Sequence, residues 1–295
     1  MKNLCNVNGD YGGWIMKRNQ KRTLSKVLAY IFQISLSLIF VLPLVWMIVS
    51  SLKPEADLFK DMSSIATFFV SNPSLDNYKE MLSRSLVLKS TLNSMIYIVL
   101  ILLIGIPVNA LCGYALARLR FPGKNLILSA IIALYIVPFE TVVLPLYLVS
   151  NTLKITNTFF ALFLPFIGNC FNIFLFRQFF MSLPKELEEA ASIDGCGVLG
   201  TFVKVVLPNT KPVIATATVL TIVTHWSDFM WPLMAVTSPE HKTIQLAIQG
   251  FFTDPPVRYA PIMAALVFST IPILIVYLLL QKYYVQGIMS SGIKG

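Results

Sequence analysis

The sequence runs to 295 residues, 56% of them hydrophobic and only 13% charged, with a mean hydropathy of +0.73. These values describe a membrane protein and exclude a soluble globular domain, a disordered chain, a collagen and a secreted disulfide scaffold. The net charge of +9 acts as an orientation signal in a membrane chain and calls for no nucleic acid partner. Cys5, Cys112, Cys170 and Cys196 lie far apart with no C-x-x-C pair, so they are assigned to packing and not to a metal site.

Residues 1–27 form a basic N-terminal tail. Its first 15 residues, MKNLCNVNGDYGGWI, hold no apolar run of signal-peptide length, so the first span is the expected insertion signal. A translation start at Met16 is the alternative for this stretch. Charge at the bilayer centre costs at least about 2.5–3.5 kcal/mol, so stretches without charge mark the spans. Between Lys26 and Lys53 there are 26 uncharged residues, between Lys89 and Arg118 there are 28, between Lys154 and Arg177 there are 22, and between Arg258 and Lys282 there are 23. Lys124 to Lys154 encloses 29 residues with Glu140 as the one charge, and Lys211 to Glu240 encloses 28 with only Asp228. At 1.5 Å per residue each stretch can cross a hydrocarbon core of about 30 Å. The expectation is an all-α polytopic protein of six spans, near 28–50, 89–117, 125–149, 157–179, 212–235 and 260–282. The transmembrane domain then covers 28–284 and a short tail covers 285–295, with a short helix around Leu75–Leu82 in the first long loop.

An even number of spans places both termini on one side, and the basic residues choose it. With the termini cytoplasmic, the inner segments hold 15 Lys and Arg against 8 in the outer ones. The short loop Arg118-Leu119-Arg120-Phe121-Pro122-Gly123-Lys124 carries this bias most cleanly. Proline and glycine interrupt the spans heavily, which is ordinary kinking or, in a transporter, the mark of broken helices lining a cavity.

The loop between the fourth and fifth spans, 182–208, is the most informative. Ser182 is positioned to cap a helix with Pro184 and Glu186 in its first turn, and Leu187, Ala190, Ala191 and Asp194 fall on one face. Gly195 breaks that helix. A second follows, with Leu199, Phe202, Val203 and Val206 on one stripe, and Pro208 stops it. Two short coupling helices of this kind suit another protein's groove. Lying on lipid is the alternative, and the acidic start Lys185-Glu186-Leu187-Glu188-Glu189 opposes it at an anionic leaflet.

Glu189-Ala190-Ala191, Gly195 and the closing Val205-Val206-Leu207-Pro208 resemble the EAA loop of binding-protein-dependent ABC importer permeases, with Val205 where isoleucine is usual. Asp194-Gly195 and Leu183-Pro184-Lys185-Glu186-Leu187 resemble the carbohydrate branch, of the maltose-transporter second-permease type. Similar matches run along nearly the whole chain: Ser51-Leu52-Lys53, Pro73-Ser74, Asn77-Tyr78, Asn93-Ser94, Tyr114-Ala115-Leu116-Ala117-Arg118, Phe121-Pro122-Gly123, Pro145-Leu146-Tyr147, Asn157-Thr158, Trp226-Ser227-Asp228-Phe229 and the tail from Gln286-Gly287 to Gly295. Ser227 replaces a usual asparagine, and Glu140 is an acid the third span usually lacks.

The resemblance implies a non-enzymatic permease subunit of the bacterial cytoplasmic membrane, half of a path for a sugar or oligosaccharide. Its implied partners are a second permease in a heterodimer, two ATPase subunits that bind ATP and Mg, an extracellular or periplasmic sugar-binding protein, and membrane lipid. The sequence is consistent with this division, since it holds no G-x-x-x-x-G-K-[ST]. By resemblance Glu189 makes a polar contact with the ATPase, Ala190 and Ala191 permit its approach, Gly195 supplies the turn next to Asp194, and Leu207-Pro208 close the loop.

Within the spans, Asn93, Glu140, Trp226 and Asp228 are the candidates for the translocation path. For Asp228 a structural hydrogen bond fixing the break before Pro232 comes ahead of hydrogen bonds to sugar hydroxyls, with Trp226 and Trp231 offering apolar faces. Glu140 either contacts substrate or forms an ion pair with the other permease, and Asn93 is foremost an interhelical hydrogen-bond residue. His225 with Asp228 lacks a third metal ligand. The rival class is a proton-coupled secondary transporter that relays protons through Glu140 and Asp228. A hydrolase built on His225, Ser227 and Asp228 fails, because these positions do not share a helix face.

Overall fold

The computed structural model describes the backbone of residues 10–84 and 86–292 and the side chains of 24–84 and 86–281. Met1 and Cys5 lie outside the described residues, as do the side chains of Met16 and of the motif in the 285–295 tail. The contacts divide the chain into two compact units, 1–75 and 76–295.

The first unit consists of α1 (Asp10–Ser51), α2 (Glu55–Lys60) and a 3-10 turn (Ile65–Phe68). Leu24–Ser51 of α1 is long and apolar enough to span a membrane, and none of its apolar stretch is buried within the chain, leaving its sides for lipid or a partner. Lys53 organises the segment that follows. Its Nζ reaches Asp61 Oδ2 at 2.8 Å and donates to the Ala66 carbonyl at 2.7 Å, and the residue is only 2% exposed. A buried ammonium is tolerated because it is paired and hydrogen-bonded. Trp46 Nε1 donates to Thr67 Oγ1 at 3.0 Å, tying the span to the 3-10 turn.

The second unit opens with α3 (Asp76–Arg84), the short loop helix expected near Leu75–Leu82. The second span, Val87–Arg118, joins α4 (Val87–Leu100) and α5 (Ile106–Arg118) through a π turn at Ile101–Gly105. The third, expected near 125–149 with prolines interrupting it, is a broken span of α6 (Lys124–Ile136) and α7 (Phe139–Thr152), bent by 106°. Pro138 lacks an N–H and forces the preceding Val137 into an extended conformation, so the helix cannot continue through it. The fourth span, Phe159–Ser182, contains α8 (Phe159–Phe163), a 3-10 turn with Pro165, and α9 (Cys170–Ser182), whose first turn is capped by the Asn169 side chain accepting from Asn172 N.

Then come α10 (Glu186–Ile193), α11 (Val198–Thr201), α12 (Lys211–Trp226), α13 (Met230–Ala235), α14 (Ile244–Thr253) and α15 (Tyr259–Gly292). Among the described residues five helices can each span a membrane, and the bent pair α6–α7 makes a sixth crossing if it counts as one.

Two apolar cores hold the second unit. One gathers Tyr97, Leu162, Trp226, Trp231, Ile244 and Ile262. The other gathers Ala110, Tyr114, Phe176, Phe180, Phe202 and Val213 around α5, α9 and α12. Buried asparagines tie helices across the bundle: Asn109 Oδ1 accepts from Asn169 N at 2.9 Å, and Asn172 Nδ2 donates to Thr221 Oγ1 at 3.1 Å. Between α5 and α9 the backbones nearly touch. A Cβ on Gly113 would lie 2.7 Å from Phe176 Cβ and 2.9 Å from Arg177 N. Gly113→Ala is therefore expected to push the two helices apart and cost about 1–3 kcal/mol, seen as a lower temperature of half-aggregation in detergent; an unchanged midpoint refutes the close packing.

Candidate functional site

The loop between the fourth and fifth spans is built by a series of breaks. Ser182 ends α9 and donates its hydroxyl to the Phe179 carbonyl, so it does not cap the next helix as the sequence suggests. Pro184 explains the difference: it holds Leu183 extended and delays the new helix to Glu186. Three carboxylates, Glu186, Glu188 and Glu189, occupy the first turn of α10, where the helix dipole favours negative charge. At the other end Gly195 takes φ +80°, and Cys196 N turns back to the Ala191 carbonyl at 2.9 Å. This left-handed residue is what a glycine stop provides.

The second half of the loop differs from the expected free-standing helix. α11 passes into a π turn (Phe202–Val206) and a 3-10 turn (Leu207–Thr210) that continue straight into α12, and Val198–Trp226 runs as one apolar helical stretch. Pro208 does not stop it, because it sits in the first turn of the 3-10 segment, where its missing N–H costs little.

The expected faces are split as well. Ala191 is 4% exposed, and Phe202 and Val206 turn into the second core, whereas Leu187, Glu189, Ala190 and Asp194 stay exposed. Val203 is exposed too, and Ile193, Val198 and Leu199 project most of all, Ile193 at 86%. Ile193 at the end of α10 and Val198 and Leu199 at the start of α11 thus form an exposed apolar knob beside a short acidic helix.

Sequence reasoning missed Glu188. Its Oε1 forms an ion pair with Arg118 Nε at 2.7 Å, and the same guanidinium donates to the Leu183 carbonyl at 2.6 Å. The available signal was a lone arginine closing the span at Tyr114-Ala115-Leu116-Ala117-Arg118 opposite the acid-rich loop.

Within the bundle the path candidates have different fates. Asn93 is buried and donates to the carbonyls of Glu240 (2.8 Å) and Lys242 (3.0 Å), pinning the segment between α13 and α14. Trp226 and Trp231 are fully inside, donating to the Ser269 carbonyl at 3.0 Å and the Ala161 carbonyl at 2.9 Å, so neither indole offers the free face a sugar ring would stack on. Asp228 Oδ1 accepts from Trp231 N at 3.3 Å and caps α13 after the break at Ser227. His225 is buried between Tyr97 and Phe166, and its carbonyl accepts the Tyr97 hydroxyl. Among the described residues no three potential metal ligands gather. Glu140 stands exposed in the first turn of α7, beside the bend at Pro138.

Apolar spans broken at prolines, with a short acidic helix carried between two of them, have the architecture of a membrane permease component. Residues 105–290 match the family described as binding-protein-dependent transport system inner membrane component, and the chain belongs to that family. It is 30% identical to the arabinooligosaccharides transport system permease protein AraQ of Halalkalibacterium halodurans, covering 93% of this chain and 100% of that one. It is 33% identical to the sulfoquinovosyl glycerol transport system permease protein SmoH of Agrobacterium fabrum, covering 86% and 88%. The fold matches a chain in the crystal structure of a bacterial ABC transporter involved in the import of the acidic polysaccharide alginate, with a TM-score of 0.79 over 90% of this chain and 98% of that one at 24% identity. The protein is thus a multi-pass ABC permease component of the bacterial plasma membrane, and the proton-relay alternative through Glu140 and Asp228 finds no support.

The division of the two alanines is directly measurable. In otherwise cysteine-free protein, Ala190→Cys is expected to react with a water-soluble maleimide at least about tenfold faster than Ala191→Cys, since thiol reactivity follows access. Equal rates would contradict the burial of Ala191.

Proposed function

We propose that this chain is one half of the transmembrane pathway of an ATP-driven importer for a sugar or oligosaccharide. Its partner is a second, non-identical permease; two ATPase subunits bind ATP and Mg on the cytoplasmic side, and an extracellular binding protein delivers the solute. The observation that carries this reading is the exposed knob formed by the acidic helix α10, with Ile193 at its end, and by Val198 and Leu199 at the start of α11. Such a helix fills a partner's groove in the helix-in-groove manner. The carbohydrate class is supported by relatives named for arabinooligosaccharides and for sulfoquinovosyl glycerol. The excess of Lys and Arg on the side of both termini and of α10 supports a cytoplasmic position for all three.

In this scheme closure of the ATPases on ATP moves α10, and the spans convert that movement into alternating access. Glu189, Ala190 and Asp194 line the surface presented to the ATPase, Gly195 sets the turn, and Leu207-Pro208 carry the loop into the fifth span. Glu140, at the bend of the third span, faces the solute or forms an ion pair with the second permease. Asn93, Trp226 and Asp228 shape the pathway from behind by holding its walls.

Purification through a C-terminal tag from native membranes in mild detergent tests the assembly: a second permease and an ATPase are expected to accompany the chain, and ATP-independent transport by the chain alone would overturn the importer. Gly195→Asp, which places a side chain on a backbone at φ +80° and adds a charge beside Asp194, is expected to abolish uptake while membrane insertion persists; normal uptake in that variant sinks the docking role.

A further inference from the structure

Arg118 occupies a position that the importer scheme does not by itself assign. It is the last residue of α5, and its guanidinium reaches two elements at once. One arm donates to the Leu183 carbonyl at the C-terminal end of α9 at 2.6 Å. The Nε side lies 2.7 Å from Glu188 Oε1 on α10. The side chain of Arg118 is 9% exposed and that of Glu188 21%, so salt screens the pair far less than it screens a surface bridge. One turn earlier on the same face of α5, the Tyr114 ring packs at 5.7 Å on Phe180 of α9 and at 5.0 Å on Phe202 of the π turn. Glu188 is therefore held to this span by Arg118, while its neighbour Glu189 is exposed.

We propose that Arg118 is a positioning residue that makes α10 and the α5–α9 pair a single moving part, so that displacement of the coupling helix is delivered to the second span. This rests on the importer reading above. The geometry calls for arginine: one arm of the planar guanidinium donates to the Leu183 carbonyl while its Nε edge lies against the Glu188 carboxylate, and a lysine ammonium, a single point charge, would serve one at the expense of the other. The rigid continuation is the contact at Gly113, one turn deeper, where α5 meets α9 with no room for a Cβ. Glu188 thus faces the spans and Glu189 faces outward, so adjacent carboxylates serve the two ends of one joint.

The test uses the whole assembly, purified through a tag on this chain and reconstituted in vesicles, with Arg118→Gln, Glu188→Gln and the double variant. Each single variant is expected to retain the ATPase subunits and to hydrolyse ATP, while solute transported per ATP falls on the order of tenfold, within the usual range of a coupling free energy. The double variant is expected to fall no further, because both changes remove one contact. Arg118→Lys recovers part of the loss. Unchanged solute per ATP overturns the proposal. So does a double variant that multiplies the two losses, or a variant that no longer retains its ATPase, since either makes the pair a folding or docking contact. Failure of the importer reading itself is seen separately, as an unaltered chain that recovers no ATPase.

Discussion

The contact on which the second unit depends is the approach of Ile106–Arg118 to Cys170–Ser182, made possible because residue 113 has no side chain. In lipid no hydrophobic force drives helices together, so association rests on close packing and on hydrogen bonds between helices. Both occur here. Gly113 lets the backbones meet, Asn109 reaches the Asn169 amide one turn nearer the bilayer centre, and Arg118 reaches the Leu183 carbonyl at the end. Phe202, Val213 and Ala217 then pack against the pair and bring the loop after α10 and the fifth span into the same core. A looser approach would move the loop away from the arginine that holds it.

A second constraint shapes the breaks. Backbone groups freed inside a membrane must find partners within the protein, so irregular segments survive only where side chains satisfy them. Asn93 accordingly serves the carbonyls of Glu240 and Lys242, Ser94 Oγ accepts from Ile244 N at 2.9 Å, and Asn157 Oδ1 accepts from Thr237 N and Ser238 N. Asp228 does the same for Trp231 N. Asn93 and Asp228, which in sequence are candidates for a solute path, are thus spent, like Ser94 and Asn157, on holding the non-helical walls in place. Glu140 differs, since its carboxylate stands exposed at a bend with no ion pair among the described residues.

This difference explains what could be read from the sequence. Spans were legible because charge exclusion is a local property of the chain, and Gly195 was legible because a helix stop followed by Cys196 has few other solutions. The bend at Pro138 was only half legible: proline announces a break, but whether the chain resumes along the same axis or at 106° is decided by what packs on either side. Ser182 and Pro208 misled because capping and stopping rules assume a helix end, and α9 had already ended at Ser182 whereas the chain at Pro208 had tightened into a 3-10 turn that tolerates proline. Trp226 and Trp231 were indistinguishable from exposed aromatics until the carbonyls of Ser269 and Ala161 were seen to take their N–H groups. Glu188 was hidden for a different reason. Its partner lies 70 positions away, and no periodicity within the loop singles it out from Glu186 or Glu189.

The last step concerns why two adjacent acids are needed. A helix of eight residues has too little contact with the membrane bundle to be steered by packing alone, and Ala191 supplies only a small side chain to that contact. Were all its carboxylates turned outward, the first turn would favour an external partner and leave the helix free to tilt about Gly195. With Glu188 drawn to Arg118, the same turn is fixed to a span at one position and open at the next. The helix periodicity does this without further sequence, since successive residues are turned by about 100° and thus face different neighbours. Force applied at Glu189 or Ile193 is then opposed at Glu188, and it has only the α5–α9 pair to move.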